Sequence, residues 1–212
     1  MHDIVGHLLS VFAGFFAVMN PVANTPIFLS LTEGDPRDVQ KKVARKAMVA
    51  TFLLIVVFVA LGKVIFDLFG VTLPAFRITG GVLIALIGYQ MLHGESSTVH
   101  RQTPAEAGSN LDQSLSVAIT PLAIPILAGP GTIATAMNFA STGGIREMVI
   151  TLAAFAVLCV VTYFFFLSGG RMVAFLGKNG MNVITRIMGL ILATIGVQML
   201  IEGVTGAIRA AS

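Results

Sequence analysis

Six runs of this chain contain no Asp, Glu, Lys or Arg: Ile4 to Thr32, Ala47 to Gly62, Ile78 to Gly94, Gln113 to Ile145, Met148 to Gly170, and Ile187 to Ile201. A helix crossing the hydrocarbon of a bilayer needs roughly 17–25 such residues. The shorter runs end at Lys63, Arg77 and Glu202, whose long side chains can reach back to the interface. The rest of the composition agrees: 56% of the residues are hydrophobic and only 11% charged, against about 25% charged in an ordinary soluble domain. There is too little charge to cover a water-soluble globule of this size. We expect an all-α membrane protein with six transmembrane helices in a single polytopic domain, residues 1–212.

The N-terminus lacks the basic region and small-residue cleavage site of a leader, so the first run is expected to stay in place. The one cysteine, Cys159, lies within the fifth run, so neither a disulfide framework nor a thiolate metal site is expected. The basic residues set the orientation. Arg37, Lys41, Lys42, Arg45 and Lys46 fill the first loop and place it in the cytoplasm. If all six runs cross, nine of the 13 Lys and Arg fall on the cytoplasmic side, and both termini are non-cytoplasmic. A rival in which the first and fourth runs are non-crossing hairpins puts eight inside.

The chain repeats itself. Gly81-Val-Leu-Ile-Ala-Leu-Ile-Gly-Tyr-Gln-Met-Leu92 aligns without a gap on Gly189-Leu-Ile-Leu-Ala-Thr-Ile-Gly-Val-Gln-Met-Leu200, with seven of twelve positions identical. Pro21-x4-Pro26 in the first run matches Pro125-x4-Pro130 in the fourth. Repeat one covers 4–94, the polar linker 95–112, and repeat two 113–205. Three spans per repeat is odd, so the second copy is expected to enter the membrane inverted, a plan recurrent among transporters. Small residues at Gly81, Ala85 and Gly88, and at Gly189, Ala193 and Gly196, share a helical face and predict close backbone packing. Asp35 before Pro36 predicts a helix start that runs on into the second span.

The first and fourth runs are longer than one straight helix needs, and prolines lie well inside both. A proline removes an amide donor and frees the carbonyl four residues earlier. In lipid such a group must be satisfied by protein or by a wet cavity. Both spans are therefore expected to break at their prolines and to form a substrate site from Asn20, Pro21, Asn24, Thr25, Pro26, Pro125, Gly129, Pro130, Gly131 and Thr132. Broken helix ends can hold the two charged ends of a small zwitterion. The plainer alternative is that the prolines only kink the helices while the polar groups satisfy backbone locally. No acid–base constellation and no metal-ligand spacing is present, so we expect no enzyme, no cofactor and no metal. Irregular backbone also lines pores, which keeps a channel open as a reading.

Asn20-Pro-Val-Ala-Asn-Thr-Pro-Ile-Phe-Leu-Ser-Leu-Thr32 resembles the (D/N)P-x-(G/A)-N-x-P-(I/V)-F-L-x-L-T motif of the MarC-related membrane proteins. Pro121-Leu-Ala-Ile-Pro-Ile-Leu-Ala-Gly-Pro-Gly-Thr132 is similar to that family's second motif. The resemblance covers nearly the whole chain. It implies a six-span inner-membrane protein and, for some members, transport of small neutral amino acids such as glycine and alanine. It also implies that Asn20 stands where many relatives carry Asp, which removes a possible proton-coupling carboxylate. The expected partners are a small polar solute, a coupling ion (H+ or Na+) left open, and the bilayer, with no nucleic acid. The alternatives are a channel or facilitator for another small polar solute, or an accessory subunit without transport.

Overall fold

The computed structural model describes residues 2–93, 115–141 and 144–211, which form helices with no strand among them. In chain order they are α1 (His2–Met19), α2 (Pro21–Leu31), α3 (Arg37–Phe69), α4 (Leu73–Leu92), α5 (Ala118–Leu127) and α6 (Pro130–Ala140). They are followed by α7 (Gly144–Gly177) and α8 (Asn179–Ala210). The linker expected over 95–112 lies outside the described residues.

Four of these helices are long and apolar enough to cross a membrane: α3 from Arg37 to Gly62, α4, α7 and α8. The count is five if α1 and α2, bent by 42° at a short break, form one span. The outer faces suit lipid. Val49, Leu53, Val57, Leu61, Val64 and Leu68 recur every three or four residues along α3, and all are exposed. A stripe of that length is far beyond the apolar patch a water-soluble monomer shows.

Local chemistry sets the boundaries. The basic loop enters α3 as expected, but one residue later than Asp35 and Pro36 suggest. Pro36 is itself the cap residue in an extended conformation (φ −58°, ψ 151°), no side chain caps it, and Arg37 opens the helix. Gly70 closes α3 in the left-handed region (φ 62°), where glycine carries no Cβ penalty. Thr72 then caps α4, accepting from the Ala75 amide at 3.3 Å. Between α7 and α8 helical geometry fails only at Gly177 (φ 63°, ψ 177°).

Two apolar cores result. The larger gathers α1, α2, α3, α5, α6 and α7, with Phe15, Phe28, Phe155 and Phe166 fully buried. The smaller joins Ile84 and Met91 of α4, Leu192 and Met199 of α8, and Ala134 of α6. Within it α4 and α8 run antiparallel with their backbones touching. A Cβ built on Gly88 would lie 2.6 Å from the Gly189 carbonyl oxygen and 2.8 Å from Ala193 Cα. One built on Gly196 would lie 2.6 Å from the Gly81 oxygen and 2.8 Å from Ala85 Cα.

α1 and α2 track α7 in parallel. His7 meets Glu147 at 2.6 Å, the Phe15 and Phe155 rings lie 4.9 Å apart, and the Thr162 hydroxyl lies 3.8 Å from the Met19 sulfur. Further on, Thr25 packs on Gly169. α6 runs the other way: Phe139 covers Gly14 and Gly131 reaches Val18.

Candidate functional site: two broken helices

The first break is at Asn20. Its backbone amide still donates to Phe16 at 2.9 Å, but it then turns into the left-handed region (φ 44°, ψ 71°), the only non-glycine among the described residues to do so. Two facts drive this. A residue before proline is pushed out of the α region, and asparagine tolerates the left-handed region better than most. The Asn20 side-chain oxygen then accepts from the Ala23 amide at 3.1 Å, capping α2, and Pro21 takes the first helical position, where its missing N–H does no harm.

Diverting the Ala23 amide frees the Met19 carbonyl, and the Asn24 side-chain amide donates to it at 2.6 Å. The Thr25 hydroxyl donates to the Pro21 carbonyl at 2.7 Å. Asn20, Asn24 and Thr25 are all buried. One donor stands apart: Asn20 Nδ2 is buried with no hydrogen-bond partner among the described residues. Pro26 lies inside α2 without breaking it, so the break in the first segment belongs to Pro21 alone.

The second segment is broken more heavily, by the same pre-proline restriction. Thr120 (φ −128°, ψ 117°) and Ile124 (φ −125°, ψ 123°) are extended, immediately before Pro121 and Pro125. Gly129 (φ −73°, ψ 172°) is extended before Pro130, which opens α6 with no capping side chain. The Ala128 amide donates to the Ala123 carbonyl at 2.8 Å. This is the counterpart of the Asn24–Met19 bond: each joins the residue two before the first proline to the residue five further on. The Thr132 hydroxyl donates to the Leu127 carbonyl at 2.9 Å. Gly131 and Thr132 are buried, and their amides belong to the uncapped first turn of α6, where a helix presents partial positive charge.

The start of α6 lies beside the end of α1. A Cβ on Gly131 would touch Val18 and Ile84, each at 3.4 Å, and Val18 is two residues before the first break. α7 backs the break from the other side through Thr162 and Gly169. The end of α1, which leads into Asn20 and Pro21, and the start of α6, with Gly131 and Thr132, thus adjoin through Val18. Asn24 and Thr25 lie just beyond and satisfy backbone, as does Thr132, so for these three the plainer reading of the sequence describes their bonds.

One residue not singled out in the sequence adds to the start of α6. Thr135, one turn after Thr132, is buried with its hydroxyl unpartnered among the described residues. Its three-residue spacing from Thr132 was the available signal. Arg77, in the second turn of α4, donates to the buried Asn138 near the end of α6 at 2.5 Å. No group of three or more His, Cys, Asp or Glu among the described residues could hold a metal.

Buried polar breaks inside a bundle with an apolar exterior define a polytopic helical membrane protein. The chain belongs to the MarC family of integral membrane proteins, whose family model matches residues 5–208. It is 40% identical to the UPF0056 membrane protein YvbG of Bacillus subtilis, over 94% of each chain. It is 34% identical to a UPF0056 membrane protein of Pyrococcus horikoshii over 98% of each. It is 31% identical to the UPF0056 membrane protein YhcE of Escherichia coli, over 92% of this chain and 90% of that one. No solved structure matches.

Proposed function

We propose that this protein is an inner-membrane carrier of small neutral amino acids of the glycine and alanine type, with its site between the end of α1 and the start of α6. One observation carries the reading: a helix C-terminus and an uncapped helix N-terminus adjoin in a buried place, and the residue that ends the first, Asn20, has a buried amide donor with no partner among the described residues. The α6 amides and Asn20 Nδ2 suit a carboxylate. The Ala17 carbonyl, to which a proline at position 21 cannot donate, suits an ammonium. A zwitterion supplies both charges at the spacing of one small residue, and a bare ion or neutral polyol does not.

The same reading takes all six runs as crossing, with both termini outside. The track of α1 and α2 along α7 from Glu147 to Gly169 supports a crossing first run, since that length of helix rises about 33 Å, a full hydrocarbon thickness. The 42° bend supports it too, because a re-entrant hairpin would reverse. Inverted repeats are supported by the α4–α8 contacts. Exchanging Gly81 for Gly189 and Gly88 for Gly196 turns each pair of distances into the other.

Purified protein in liposomes is expected to take up radiolabelled glycine and L-alanine saturably, with D-alanine a weaker competitor. Flux that rises linearly with concentration and ignores stereochemistry would establish the channel reading instead. Absence of flux for both amino acids, in protein that elutes as a single folded species, would sink the carrier.

A further inference from the structure

A cavity away from the breaks has a different chemistry. It has a volume of about 400 Å³, opens outward between α2, α3 and α7, and has Leu29, Arg37, Gln40, Leu167, Arg171 and Ala174 in its lining. That volume is within the range of small-ligand sites. Two arginines line it, no acidic residue does, and neither arginine has an acidic partner among the described residues. Two like charges facing one small space repel unless an anion lies between them. Paired arginines are the preferred protein partners of phosphate oxygens.

Depth and surroundings narrow the anion. Arg171 directly follows the charge-free run of α7, which puts it at the level of lipid headgroups, and Arg37, at the start of α3, shares its cavity there. The wall on the membrane side of Arg171 is apolar and outward-facing: Leu167, one turn before it, is exposed. A free phosphate or an amino acid would leave that wall bare, whereas an acyl chain would cover it.

We propose that Arg37 and Arg171 hold the phosphate of an anionic phospholipid, with its acyl chain running past Leu167 toward the membrane interior. Basic pockets between transmembrane helices are the usual form of such sites. The proposal is independent of the transported substrate.

The test uses full-length protein, delipidated in detergent, with lipid binding followed by native mass spectrometry. Phosphatidylglycerol is expected to bind wild type about tenfold or more tightly than phosphatidylcholine. Arg171→Gln and Ala174→Glu should each abolish that preference, and Arg146→Gln, at the opposite end of α7, should leave it intact. Ala174 is exposed, so Ala174→Glu introduces a carboxylate without disturbing packing. Equal binding of the two lipids by wild type, or an undiminished preference in Ala174→Glu, would overturn the proposal. So would displacement of phosphatidylglycerol by an equal concentration of inorganic phosphate, which would mark a site for a free anion.

Discussion

Asn20 bends the chain, caps α2, and leaves its side-chain NH2 without a partner among the described residues. These roles can be separated. Glycine adopts φ 44° freely and costs only a few tenths of a kcal/mol as a cap. Alanine in the left-handed region costs about 1–2 kcal/mol, and the lost cap about 1 kcal/mol more. We therefore expect Asn20→Gly to melt close to wild type and Asn20→Ala several degrees lower, by thermal denaturation in detergent. Both should lose amino acid uptake by about tenfold or more, the worth of one hydrogen bond to a charged group. Uptake by Asn20→Gly at the wild-type rate would remove Asn20 from the site. Asn24→Leu differs in kind, because it strands the buried Met19 carbonyl and should cost about 1–3 kcal/mol of stability. The sequence marked Pro21 and Pro26 alike as breakers, since each carries the same local penalty. Only the packing of Thr25 on Gly169 and of Phe28 on Phe166, with rings stacked at 4.5 Å, shows why α2 stays helical through Pro26.

At the scale of elements, the glycine contacts between α4 and α8 make a sharp demand. Even a methyl group at Gly88 or Gly196 would overlap the facing backbone. Gly88→Ala and Gly196→Ala should therefore lower the yield of monodisperse protein to a similar degree, as read by size-exclusion chromatography. Gly6→Ala, with nothing within 4 Å of its new methyl, should leave it unchanged. A loss at Gly88 alone would count against a symmetric pair. This packing was readable in the repeated Gly-x6-Gly, because small residues at helical spacing have few other uses in lipid. The doubly broken α5 was less so. Pro121 and Pro125 signalled a break, but the extended residues are the ones before them, Thr120 and Ile124, and nothing in an isolated sequence tells whether such a residue bends or holds.

For the whole molecule, orientation is the open quantity that charge addresses. In a Cys159→Ala background, an impermeant thiol reagent applied from outside should label Ala210→Cys and spare Lys41→Cys, both at exposed positions. The opposite pattern would reverse the assignment of the basic loop, and labelling at both would rule out an odd number of crossings between them. The two unequal cores carry a mechanical consequence. α4 and α8 are joined backbone to backbone, with no side-chain slack to let one slide past the other. Their seam with the larger core runs through α6, where Ile84, Met199 and Gly80 meet Ala134 and Arg77 bonds Asn138. The pair therefore forms one stiff beam that meets the rest of the molecule at α6. Any rocking that exposes the broken helices first to one side of the membrane and then to the other has its give along α6, one turn from Gly131 and Thr132.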